Sequence, residues 1–156
     1  MPEHSAWAAV GHRRQWGRNG PLTWLTPVDC QTVTMSDDPL GAVLAALMDR
    51  EPLFHRTELG TSRAEFEAMT AEDFWEVGAS GAVYDREYVW SVLSRRYEAG
   101  LPDVWETSEF ALRALGASVY LLTYLLRQGG RVTRRATVWE QVSSGWRVIY
   151  HQGTPA

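Results

Sequence analysis

Among the 19 acids and four histidines of this sequence, one carboxylate and one imidazole form the pair to examine first for moving protons without a cofactor. They are the carboxylate of Glu76, in the run Asp73-Phe74-Trp75-Glu76-Val77-Gly78, and the imidazole of His151, in the terminal run Tyr150-His151-Gln152-Gly153-Thr154. A carboxylate and an imidazole that converge in an apolar pocket could act as base and orienting acid. Each residue also has an ordinary structural use. Glu76 could accept N–H bonds from the Ser80-Gly81 turn or pair with an arginine, and His151 could be a satisfied core histidine. Groups in unusual environments often prove structural. His55, just after Pro52, could cover the mouth of a cavity or simply pack at a helix end, whereas Asp85 reads as a helix cap and Asp73 as a strand-entry residue.

Other chemistries find little support. One cysteine and four histidines, with no His-x-x-x-His or similar spacing, argue against a metal centre, and no cofactor is expected. Gly78-Ala79-Ser80-Gly81 lacks the lysine of a phosphate-binding loop, and Ser80 and Ser91 have no adjacent histidine for a nucleophilic triad. Arg134-Arg135 could meet an anion, but sits mid-strand, where neighbours point to opposite faces. The formal charge is −4, and every one of the 15 basic residues is arginine, scattered rather than clustered. Neither nucleic acid nor an anionic membrane is an expected partner. The lone Cys30, the lack of a membrane-spanning apolar run and the lack of a signal-peptide pattern give a soluble, cytoplasmic protein as the expectation.

At 156 residues the chain is long enough for one substantial core. Residues 1–34 are broken by Gly11-His12-Arg13-Arg14, Gly17-Arg18-Asn19-Gly20-Pro21 and Thr26-Pro27, and read as a flexible or atypical extension. Trp7, Trp16 and Trp24 leave open that it docks on the domain. The domain proper is assigned to 35–156. Ser36-Asp37-Asp38-Pro39 starts a helix whose apolar positions Leu40, Val43, Leu44, Leu47 and Met48 follow helical spacing until Pro52 stops it. Ser62-Arg63-Ala64-Glu65 is a capping box opening a second helix with Phe66 and Met69 inward. Residues 73–78 are strand-like. Asp85 caps a third helix carrying Val89, Val92, Leu93 and Tyr97, ended by Gly100-Leu101-Pro102. Four strands follow, near 105–115, 117–127, 131–142 and 145–152, with turns at Gly116, Gly129-Gly130 and Ser143-Ser144-Gly145.

Two-residue hairpin turns set Tyr124 opposite Arg135, Tyr120 opposite Trp139, Thr137 opposite Tyr150 and Ala136 opposite His151. One face then carries Phe110, Leu112, Leu121, Thr123, Leu125, Ala136, Val138, Ile149 and His151, and is expected to pack on the helices around an apolar cavity. The other carries Glu109, Arg113, Tyr120, Tyr124, Arg135, Thr137, Trp139, Trp146, Val148 and Tyr150. It is expected to form a homodimer surface, or a half-solvated face with Glu109 paired to Arg135. A slip of one residue exchanges the two faces.

The motifs Arg50-Glu51-Pro52-Leu53-Phe54-His55-Arg56, 73–81, Tyr120-Leu121-Leu122-Thr123-Tyr124, Arg134-Arg135-Ala136-Thr137-Val138-Trp139 and 150–154 closely resemble the DUF4440 branch of the NTF2-like superfamily, over roughly Asp38 to Thr154. The resemblance implies an α+β cone, with three N-terminal helices packed on a curled antiparallel sheet. The superfamily includes ketosteroid isomerases, SnoaL-type polyketide cyclases, dehydratases and noncatalytic binding proteins. In the isomerase-like members a carboxylate near the end of the first strand is the base, which here falls at Glu76. The chain departs from them in lacking a helix-one tyrosine for an oxyanion hole and a protonated-acid partner. Two functions are expected on these grounds. One is a domain that binds a small apolar or carbonyl-containing molecule, with Glu76 as base and His151 or Tyr84 as donor in isomerase, cyclase or dehydratase chemistry. The other is a noncatalytic ligand-sensing or interaction module that works through its sheet face.

Overall fold

A computed structural model describes residues 38–100 and 104–156. The extension assigned to 1–34 lies outside the described residues. Helix α1 (Pro39–Met48) begins where the Asp38 carboxylate accepts the Leu40 N–H at 3.1 Å, with Pro39 in the first turn, where a missing donor costs nothing. Helix α2 (Arg63–Met69) opens on the expected capping box: the Ser62 hydroxyl accepts the Glu65 N–H, and the Glu65 carboxylate accepts the Ser62 N–H at 2.9 Å. Helix α3 (Arg86–Ala99) starts on Asp85, whose carboxylate accepts the Tyr88 N–H at 2.8 Å, and ends at Gly100. Asp85 is therefore a cap, as its position implied.

Among the described residues six strands form one sheet: β1 (Thr70–Val77), β2 (Val83–Asp85), β3 (Trp105–Ala114), β4 (Val119–Gln128), β5 (Arg131–Val142) and β6 (Gly145–Pro155), in the order β2-β1-β6-β5-β4-β3. The sheet is mixed, which corrects the antiparallel expectation: β6 returns to lie parallel to β1, and the other pairs are antiparallel. Antiparallel neighbours need only a tight turn, but β1 and β6 are joined through α3 and three long strands, which is ample chain for a parallel return. α1 packs on β3, α2 on β1 and β6, and α3 on β1 and β2, so all three helices help enclose the sheet.

The β4–β5 register matches the hairpin reading, with Tyr124 opposite Arg135 and Tyr120 opposite Trp139. The β5–β6 register does not: Thr137 faces His151, Ala136 faces Gln152 and Val138 faces Tyr150. A bulge is the cause. Trp139 pairs with Val148 and Val138 with Tyr150, so Ile149 is the extra residue, and the side-chain alternation of β6 changes phase there. Val148 and His151 both become inward, three positions apart.

The assignment of the two faces is therefore reversed along β4 and β5. Leu122, Tyr124, Thr137, Trp139 and Val148 are almost wholly buried, with Phe54, Phe66, Phe74, Val89 and Leu93 packed in the same core. Thr123 and Ala136 lie on the outer side. Tyr124, Thr137 and Trp139 are thus unavailable as a dimer surface. A second bulge in β3 contributes: Ser108 pairs with Leu125 and Ala111 with Thr123, and Glu109 between them takes φ 57°. Phe110 swings inward to stack on Tyr124 at 5.1 Å between centroids. Glu109, turned outward, meets Arg134 at 3.0 Å instead of Arg135.

Candidate functional site

Strand pairing brings the three residues singled out for proton chemistry into one row. Tyr84 on β2 is opposite Glu76 on β1, and Glu76 is opposite His151 on β6. Cross-strand partners point to the same face, so all three side chains enter one cavity of about 260 Å³. Glu76 Oε2 and His151 Nδ1 are 3.2 Å apart. A carboxylate only accepts, so Nδ1 carries the proton of this bond, and Nε2 is the ring nitrogen left to meet a bound molecule. Glu76 is therefore tied to an imidazole and not to the Ser80-Gly81 backbone, whose turn closes on Gly78 O. The Glu76 and His151 side chains keep only 20% and 8% of their exposure, so solvent screens the pair weakly.

Tyr84 is held by two devices. Its ring stacks on Tyr88 one turn into α3, at 4.6 Å and 7° between planes. Gly78 leaves room for it, because a Cβ there would lie 2.9 Å from Tyr84 Cε2. The row continues inward to Thr137, fully buried, whose hydroxyl has no hydrogen-bond partner among the described residues. The remaining walls are Val89, Val92, Leu93 and Arg96 of α3, residues 52–55, and Tyr124, Leu126 and Arg135 of the sheet. His55 is among them, as its place after Pro52 suggested, whereas Thr123 is not. The lining is more polar than the expected aliphatic cavity, because the reversed faces bring Tyr124 and Arg135 inside.

Glu51 is the residue that sequence reasoning passed over. It is 0% exposed, and its carboxylate accepts the Leu53 N–H at 2.6 Å, the Tyr124 hydroxyl at 2.8 Å and the Trp139 Nε1–H at 3.2 Å. A buried carboxylate is tolerable when several donors meet it, and here they tie three separate parts of the chain together. Burial, and the neighbouring Glu51 charge after it, push the Tyr124 hydroxyl far above the usual tyrosine range, while the Arg135 guanidinium works against the shift. Tyr124 thus stays a neutral donor. The Phe54 carbonyl is anchored from the other side by Arg96 Nη2 and by the Tyr97 hydroxyl at 3.1 Å. Phe54 itself takes φ 64°, a conformation costing on the order of 1–3 kcal/mol that these anchors and the Phe66 and Phe74 rings sustain. The signal in sequence was an acid between Arg50 and Pro52 beside an apolar helix end, too weak to separate a hub from an exposed loop residue.

No group of His, Cys, Asp and Glu among the described residues is arranged to hold a metal ion, and no helix among them is long and apolar enough to cross a membrane.

No protein-family profile and no curated protein matches this chain. Solved structures do match in fold. An NTF2-like protein from Cytophaga hutchinsonii aligns over 78% of this chain and 100% of its own, at 14% identity and a TM-score of 0.57. A protein of unknown function from the DUF3225 family of Pectobacterium atrosepticum aligns over 77% and 92%, at 19% identity and a TM-score of 0.56. A candidate ketosteroid isomerase from Parabacteroides distasonis aligns over 80% and 93%, at 12% identity and a TM-score of 0.51. The fold is that of the NTF2-like proteins. At these identities the likeness extends to the fold alone, which hosts many activities.

Proposed function

We propose that the domain binds a small carbonyl-containing molecule in the cavity between α3, residues 52–55 and the sheet, and that it transfers a proton on that molecule without a cofactor. The observation that carries this reading is the Glu76–His151 contact of 3.2 Å inside a cavity that Tyr84 also lines. In the sequence-based assignment Glu76 is the base. The contact geometry favours a refinement: Glu76 orients and polarises the imidazole, His151 Nε2 takes the proton from carbon, and the Tyr84 hydroxyl donates to the enolate oxygen. The reaction class is isomerisation, cyclisation or dehydration beside a carbonyl. The DUF4440 branch is our proposed placement within the NTF2-like fold, and the cytoplasm our proposed setting for the chain.

The test has two stages. Native mass spectrometry of the purified protein identifies a copurifying molecule, and that molecule is then incubated with the protein in D₂O while NMR follows deuterium entry beside its carbonyl. Glu76→Gln and His151→Gln should each retain the ligand and slow exchange by about 10²-fold or more, the usual weight of general acid–base catalysis. Ligand retention with identical exchange in wild type and both variants would reject catalysis.

A second reading rests on the outer side of the sheet. Trp75 is 44% exposed, and its ring lies 4.5 Å from that of Tyr150, with Val138 paired beside it. Aromatic residues of this kind are enriched in interfaces. We propose this outer face, rather than the buried one first assigned, as the homodimer or interaction surface.

A further inference from the structure

Arg135 and Arg96 line the cavity, and among the described residues no carboxylate forms an ion pair with either. Within the described residues the other arginines near acids are satisfied locally: Arg134 by Glu109, Arg63 by Glu67 and Glu87, Arg147 by Glu140, Arg56 by Glu58. The one acid on the cavity wall, Glu76, is committed to His151. Arg96 spends a donor on the Phe54 carbonyl, a neutral group. Arg135 spends only Nε, on the Thr133 hydroxyl at 3.0 Å, which fixes the plane of the guanidinium and leaves both terminal nitrogens. Gly153, opposite on β6, provides the slot: a Cβ there would lie 2.9 Å from Arg135 Nη1 and 3.1 Å from Cζ. Arg135 also lines the small adjoining cavity at the β4–β5 end of the sheet, where Arg131 is the other charged group.

Two part-buried cations line the cavity, while Glu76 is in contact with His151 and Glu51, behind Tyr124, already accepts three hydrogen bonds. A planar fork held by its Nε is shaped to receive a carboxylate in two parallel bonds. Partly desolvated cations facing a cavity are costly, and a bound anion offsets that cost better than a neutral group does. We infer that the molecule bound in the cavity is a small carboxylic acid, whose carboxylate docks on Arg135, with Arg96 adding to the field, and whose apolar body lies along Val89, Val92 and Leu93. The inference rests on the cavity being the binding site proposed above, and names the class of its ligand. Distance supports it. Arg135 is two residues along β5 from Thr137, the partner of His151, or roughly 7 Å at the usual strand rise, so carboxylate and reacting carbon can belong to one small molecule. Size agrees too: a cavity of about 260 Å³ has room for a compact acid.

The test uses matched probes: 3-phenylpropionate and cinnamate against their primary amides, titrated into the full chain and followed by NMR at the methyl groups of Val89, Val92 and Leu93. Each acid should bind at least tenfold more tightly than its amide, with an affinity that falls as salt is added. Arg135→Gln should bring acid and amide to equal affinity, with the larger loss falling on the acid. Gly153→Ala, which crowds the guanidinium without removing its charge, should reduce the preference and serves if the first variant does not fold. Equal binding of acid and amide by the wild-type chain, or a preference that survives in Arg135→Gln, overturns the carboxylate inference and leaves the cavity reading standing. Failure of both series to perturb the cavity methyls overturns the binding site as well.

Discussion

Replacing Glu51 by glutamine should destabilise the domain although it changes one atom. The amide oxygen can keep the Leu53 N–H and the Tyr124 hydroxyl, both of which now meet Oε2, but the new NH₂ then faces the Trp139 Nε1–H, donor against donor. One bond is lost, the two that remain are no longer charge-assisted, and both the Trp139 Nε1–H and the new NH₂ are buried donors facing each other. The neutral amide recovers part of the carboxylate's desolvation cost, so the net loss is about 1–3 kcal/mol. Glu51→Ala orphans all three donors at about 1–3 kcal/mol each and opens a void, so it should cost at least ~4 kcal/mol of the ~5–15 kcal/mol typical of a domain. Urea unfolding with the slope checked for constancy measures both. Trp139→Phe separates the causes: it should cost less in the Glu51→Gln background than in the wild type, because the donor conflict has gone. A Glu51→Gln variant within ~0.5 kcal/mol of wild type, with no coupling to position 139, would refute the claim that this carboxylate organises the core.

The other outcomes test separate parts of the structure. Gly78→Ala places a Cβ where the Tyr84 ring lies, so it should lower proton exchange on the copurified ligand more than tenfold while thermal unfolding moves by only a few degrees; unchanged exchange would remove Tyr84 from the site. Glu109→Gly relieves the positive φ in the β3 bulge and gives up only an exposed pairing with Arg134, so unfolding by urea should show a change between zero and about 1 kcal/mol in favour of the variant. The Ser62 hydroxyl and backbone hold the Glu65 carboxyl below its ordinary 4.5, and Arg63 does the same for Glu87. Both therefore favour the folded state above that value and lose their effect as pH falls through the folded-state values. A Glu65→Gln, Glu87→Gln double variant should show a shallower decline in melting temperature below about pH 4.5, and a decline as steep as wild type would contradict this. Trp75→Glu should turn a dimer into a monomer in light scattering if the outer face is the interface, and a dimer that persists would exclude that face.

Local chemistry written in adjacent residues was legible without coordinates. Ser62 with Glu65 names a capping box, Asp85 and Gly100 bracket α3, and the glycine turns mark the ends of the long strands, because caps and turns depend on neighbours in the chain. The acid, the histidine and the tyrosine worth examining could also be picked out by type, and hairpin counting set Tyr124 against Arg135 correctly. What failed were the quantities that a single inserted residue alters. Neither the bulge at Ile149 nor that at Glu109 has a glycine or proline to announce it, yet each reverses the alternation downstream, and alternation with period two has no tolerance for one residue.

Tertiary structure alone decided the rest. Tyr84, Glu76 and His151 meet because β6 lies parallel to β1, a pairing between strands separated by most of the domain, which no local pattern encodes. Glu51 became a hub only when Leu53, Tyr124 and Trp139 converged on it, since an acid's burial is a property of what surrounds it in space. The sequence by itself determined which elements form and which side chains have the chemistry. The long-range pairing determined which of them share a cavity, because desolvation, orientation and charge balance all depend on distances the chain sets only once it has folded.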